Sequence, residues 1–247
     1  MPAGRSKHRS ATPRNPRAKE SPALFHRHPL SLPLCLTILL FALSFTPRVH
    51  ATPILSQSFL GAVIALLAWQ GALKLIQSRR QQTISLETNL RPQHYVQALV
   101  QLSVFAYWGW YWRPVYDHST LLLAQVVFAY IFDILLTWSR RERYVFGFGP
   151  FPIIFSTNLF LWFRDDWFYL QFLMIAVGFL GKEFVRWNRE GRRVHIFNPS
   201  AFSLGLFSLV LLTTGTTPIT WGEEIATTLT LAPSIYLFLF LAGLVVM

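Results

Sequence analysis

A chain of 247 residues that is 53% hydrophobic, 16% aromatic and only 13% charged has too little polar surface for a water-soluble globule, and its composition places it in the membrane class. The net charge of +11 does not point to nucleic acid, because seven Lys/Arg stand in residues 1–29 against the single acid Glu20, beside the first apolar run, where basic residues ordinarily signal membrane topology. The one cysteine, Cys35, excludes disulfides, thiolate-held iron–sulfur clusters and Cys-x-x-Cys-His haem attachment within the chain.

Residues 1–29, basic and rich in Pro and Ser, are predicted to be a disordered cytoplasmic tail. Residues 30–52 follow as either a cleavable signal or a first membrane anchor. The apolar run LPLCLTILLFALSF and the small-residue ending Val49-His50-Ala51 suit a signal, while the long basic flank suits an anchor, and the composition does not choose. From 53 to 247 the chain is predicted to be an all-α polytopic membrane domain. With the first run included, apolar segments lie near 31–46, 55–76, 95–112, 119–138, 150–163, 166–181, 199–213 and 228–247. The second, fourth and last approach the ~20 residues of a full crossing. Loops carrying Lys74-Arg79-Arg80-Arg91, Arg140-Arg141-Arg143 and Lys182-Arg186-Arg189-Arg192-Arg193 alternate with the acid-rich loops 113–118, 164–166 and 214–226. This positive-inside pattern predicts an N-terminus on the cytoplasmic side.

Tyr107-Trp108-Gly109-Trp110-Tyr111-Trp112 reads as an outer interfacial belt, joined by Trp162, Trp167 and Trp221, with a stacking surface for a ring cofactor as the other reading. Asp133 falls inside the apolar run VVFAYIFDILLTW. A carboxylate there is expensive and is a candidate for an ion pathway, or for a structural pair with an arginine at the cytoplasmic end. Lys182 and Glu183 end a later span, where a lysine can snorkel to the interface. No histidine pair stands mid-membrane for haem, and no P-loop, nucleophile-elbow, zinc-protease or dinucleotide-binding pattern occurs.

The chain then repeats itself. Arg140-Arg141-Glu142-Arg143 leads to Gly147-Phe148-Gly149-Pro150 and a short apolar segment, and Arg189-Glu190-Gly191-Arg192-Arg193 leads to Phe197-Asn198-Pro199 and another. Proline suits a first helical position and bars helix from running through it, and Asn198 is a favoured N-cap. Both segments are expected to be half-helices starting at the cytoplasmic face, their positive dipole ends favouring a phosphate or carboxylate. Pro150, Ser156, Asn158, Lys182, Asn198, Pro199 and Ser200 are the candidate cofactor-binding residues, although Ser156, Thr157, Asn158, Ser200 and Ser203 could equally bond neighbouring helices.

Phe146 to Leu212, above all Gly181-Lys182 and Arg192-Arg193-Val194-His195-Ile196-Phe197-Asn198-Pro199-Ser200-Ala201-Phe202, resembles a family of membrane proteins that comprises Nqr B, from the sodium-translocating NADH:quinone oxidoreductase, and Rnf D, from the Rnf electron-transport complex. In that family a lysine ends one span and a Phe-Asn-Pro motif opens the next, with an acid before the first short segment that Asp133 matches. The resemblance implies one half of an inverted-repeat architecture and a membrane component of an ion-pumping redox complex. Sodium ion or proton would be moved, with FMN or riboflavin as cofactor and other subunits and quinone as partners. The family attaches FMN to a threonine of a Ser-Gly-Ala-Thr-like motif in a longer loop; Thr217 in Thr214-Gly215-Thr216-Thr217 holds the comparable place, but too soon after Asn198. The apolar run ending at Met247 suggests a fragment or a chain completed by a partner. A solute or ion permease, or an accessory membrane protein without redox chemistry, is the alternative.

Overall fold

The structure, a computed structural model, describes residues 29–80, 84–89, 92–189 and 192–246. Residues 1–28 of the basic tail lie outside the described residues, as do Glu190 and Gly191 of the second basic cluster. In chain order the elements are α1 (Ser31–Leu43), α2 (Pro47–Ala51), α3 (Pro53–Arg80), β1 (Ser85–Thr88), α4 (Pro92–Tyr111), α5 (Pro114–Asp117), α6 (Ser119–Trp138), β2 (Arg143–Phe146), α7 (Pro150–Asn158), α8 (Tyr169–Phe184), β3 (Arg186–Arg189), β4 (Arg192–His195), α9 (Pro199–Thr214), α10 (Gly222–Thr228) and α11 (Ile235–Val246).

Every apolar segment is helical over most of its length, and the chain is mainly helix, yet two helices alone among the described residues are long and apolar enough to cross a membrane: Pro53–Arg79 and Ser119–Trp138. The last segment is not one straight crossing. Gly222–Leu231 and Ile235–Leu241 meet at 93°, and only counted together do they make a third candidate span. Pro233 explains the bend, since it restrains Ala232 to an extended backbone (φ −81°, ψ 111°) and is followed by Ser234 at φ 57°, a left-handed conformation no helix contains.

Among the described residues four short strands depart from the all-α expectation. β1 and β2 pair in parallel, Ser85 with Arg143 through Thr88 with Phe146, and β3 and β4 form an antiparallel hairpin. Proline is the physical reason, because each of β1, β2 and β4 ends four positions before a helix-opening proline: Thr88 before Pro92, Phe146 before Pro150, His195 before Pro199. A helix cannot run in from upstream through such a proline, so the chain before it must find its hydrogen bonds elsewhere. For β1 and β2 the partner is the other strand.

Parallel pairing follows from an internal repetition. α3–β1–α4 and α6–β2–α7 are two helix–strand–helix units lying side by side in the same sense. Trp69 of α3 reaches Ser139 beyond α6, and α4 meets α7 in step, Tyr95 with Phe148, Gln101 with Pro152 and Ser156, and Phe105 with Phe155. The repetition within the described residues is thus parallel, and nothing in it is inverted. α1, α3, α6 and α8 enclose the main core, where Phe59, Phe128, Phe168 and Phe172 pack ring on ring. α8 and α9 approach closely because Gly178 and Gly181 carry no side chain: a Cβ on Gly178 would stand 3.1 Å from the Pro199 carbonyl oxygen, and one on Gly181 2.5 Å from the Phe202 ring.

α3, α6 and α8 run toward one end of the molecule. There Arg140, Arg141 and Arg186 surround Glu183, and Arg143 pairs with Glu87. At the other end Arg48 binds Asp165 and the Asp117 carbonyl, and Arg164 binds Glu224. The two sets of loops separated by charge in the sequence are therefore gathered at opposite ends.

Candidate functional site

Both proline-started helices begin inside the helical layer, a correction to the expectation that they start at its face. After α6 ends at Trp138 the chain turns back along it as β2. Tyr144 donates to Asp133 Oδ2 (3.1 Å), and the Gly147 carbonyl accepts from the Tyr130 hydroxyl (2.9 Å). Tyr130 stands eight residues before the end of α6, so α7 opens roughly 12 Å inward. α9 starts level with Gly178, six residues before the end of α8, or roughly 9 Å inward.

Asp133 stands on α6 beside the strand that leads into α7. Its Oδ1 accepts from Lys182 Nζ at 3.3 Å and its Oδ2 from the Tyr144 hydroxyl, so the carboxylate is held from α8 and from the strand before α7 at once. The side chains of Asp133 and Lys182 are 13% and 28% exposed, which leaves the lysine a way to the basic end. Lys182 also lies over the Phe179 ring at 5.1 Å. The partner expected for Asp133 in a structural pair was an arginine; the structure supplies Lys182 instead, and the arginines go to Glu183. A carboxylate in competition between an ammonium and an incoming cation can exchange one for the other, which is the chemistry this arrangement offers.

The remaining candidates do not gather there. Asn198 caps α9, its Oδ1 accepting from Ser200 N (3.1 Å) and Ser200 Oγ (2.8 Å), whereas Gly149 offers α7 no side-chain cap. Pro150 and Pro199 are buried at their helix starts. Ser156 accepts from Gln101 Nε2 on α4, an interhelical bond. Asn158, fully buried, donates to Gln125 Oε1 on α6 (2.7 Å), which also accepts from Gln171 on α8 (3.0 Å). Ser200 and Ser203 are buried within α9, and Ser203 bonds back to its own helix. Thr217 lies past the far end of α9, whose 16 residues put it about 24 Å from Asn198. It lines a cavity of about 440 Å³ with Arg164 and Glu224.

The candidate residues do not converge on one flavin: Ser156 bonds Gln101, Asn158 bonds Gln125 and Lys182 bonds Asp133, and Thr217 is at the opposite end from Asn198 and Lys182. Among the described residues no three His, Cys, Asp or Glu are placed to hold a metal ion.

Sequence reasoning missed two features. The amide cluster Gln125, Asn158 and Gln171 joins three helices at full burial, and a glutamine in each of two strongly apolar helices was the signal available. The aromatic run is only partly an interfacial belt. Trp110 and Tyr111 are exposed, but Trp108 and Trp162 are buried and stack with Trp112 and His118, because four-residue spacing turns Trp108 and Trp112 inward together. Comparison with protein-family models, curated proteins and solved structures finds no match.

Proposed function

We propose that this chain is a multi-pass membrane protein of the Nqr B and Rnf D kind, serving electron transport coupled to movement of sodium ion or proton across a bacterial inner membrane, and that its own share is to handle the ion at Asp133. One observation carries the reading: the single acid in either long helix, among the described residues, is clamped by Lys182 and Tyr144 where the neighbouring helical path is broken. A permanent structural pair gains nothing from recessed helix starts, whereas an exchanging site needs access from one side. The short helices complete the crossings in this reading, the stretch from Arg143 to Phe163 serving as one crossing with α7 as its helical half, and the basic end faces the cytoplasm. Flavin and quinone belong here to the complex rather than to these side chains.

The test is flux of sodium ion and of protons in liposomes holding the purified protein under an imposed gradient. Asp133→Asn is expected to abolish the flux, and Lys182→Gln, which frees the carboxylate from its competitor, to make it saturate at lower ion concentration. Flux unchanged in Asp133→Asn overturns the reading. Solute flux without ion dependence would place the protein among the permeases instead.

A further inference from the structure

At the basic end, between the last turns of α3 and α6, lies a cavity of about 500 Å³ whose residues divide by chemistry. Trp69, Leu73, Ile76, Ile84 and Trp138 make its walls, and Arg140 and Arg141 stand at its mouth. The one polar atom of the lining that is buried without a partner is Gln77 Nε2, a hydrogen-bond donor. Two guanidiniums and an unmatched N–H ask for an acceptor, and an anionic one; apolar walls beneath them ask for hydrocarbon joined to it. Arg140, Arg141 and Arg186 share the single Glu183 carboxylate, and with Glu142 in the lining the three guanidiniums still outnumber the two carboxylates. The cavity sits where α6 ends, the level at which a phospholipid phosphate meets a bilayer's apolar core, and its two tryptophans suit the same level.

We infer that this cavity binds an anionic phospholipid, its phosphate between Arg140, Arg141 and Gln77 and its glycerol and upper acyl chain against Trp69, Leu73 and Trp138. The site is separate from Asp133 but adjoins it. Glu183, which holds the two arginines, is the neighbour of Lys182, so a phosphate that draws Arg140 and Arg141 away from Glu183 loosens the last turn of α8 beside the Asp133–Lys182 pair.

The experiment is lipid binding by native mass spectrometry of the full chain released from detergent, titrated with phosphatidylglycerol, phosphatidylcholine and inorganic phosphate. Phosphatidylglycerol should bind as a discrete adduct in preference to phosphatidylcholine. Arg140→Gln with Arg141→Gln should weaken it by about thirtyfold, from the attraction each arginine adds toward an anionic lipid. Gln77→Leu leaves every charge in place and should still weaken binding several-fold, which keeps the test meaningful if the arginine variant folds poorly. Arg143→Gln, at the same end but outside the cavity lining, should change nothing. An equal loss in Arg143→Gln would mean a diffuse surface field, equal binding of phosphatidylcholine would mean no headgroup selection, and displacement of the lipid by millimolar phosphate would mean a free-anion site; each overturns the proposal. None of these readouts involves ion flux, so they stand or fall apart from the role of Asp133.

Discussion

His118 shows how one side chain reports on its surroundings. Only 2% exposed, it stacks on Trp162 at 4.3 Å with nearly parallel rings. Burial, and after it the charge of Arg48, lowers its pKa from 6.5 to about 3. The sign follows directly: over the interval between those values the unfolded chain binds a proton that the folded one refuses, so stability is fully present above pH 6.5 and declines as pH falls toward about 3. His118→Gln is expected to flatten that decline, measured as the pH dependence of the thermal midpoint in detergent, and an unchanged slope would show that the imidazole is not the group responsible. Asp133 and Asn198 belong to the same scale with different legibility. A lone acid in an apolar run and an Asn before a proline declare themselves in the sequence. That Lys182 is the partner of Asp133 does not, because 49 residues separate them and only the packing of α8 on α6 brings them together.

Among the elements, α8 and α9 pack closely, and two glycines three residues apart permit it. Gly181→Ala drives a methyl into the Phe202 ring and should cost about 1–3 kcal/mol of stability; adding Phe202→Ala should restore part of it, since a side chain can be trimmed. Gly178→Val meets the Pro199 backbone carbonyl and should not be relieved by the same change. Chemical denaturation of the four variants checks both, and rescue of Gly178→Val by Phe202→Ala would contradict the proposed contact. The starts of α7 and α9 were legible from Pro150 and Pro199, since proline cannot continue a helix from upstream. Their depth was not. That of α7 depends on how far β2 runs back along α6, set by the hydrogen bonds of Tyr130 and Tyr144, and that of α9 on where Pro199 packs against Gly178 of α8; no local pattern encodes either.

For the whole molecule, sorting of charge to two ends predicts opposite accessibility. In a Cys35→Ser background, which removes the sole cysteine, Glu142→Cys should react with an impermeant maleimide from one side of oriented vesicles and Asp166→Cys from the other. Labelling of both from the same side would overturn the arrangement of spans. Apolar composition, the positions of the helices, their proline starts and the alternation of basic and acidic loops were all determined by the sequence alone, because each rests on residues near one another in the chain. Which helices have the length and straightness to cross, the parallel repetition of α3–β1–α4 and α6–β2–α7, the inward turn of Trp108, and the meeting of Asp133 with Lys182 and Tyr144 were decided by tertiary structure. Each of these depends on contacts between distant segments, where burial and hydrogen-bond satisfaction are shared among elements and no single segment carries the information.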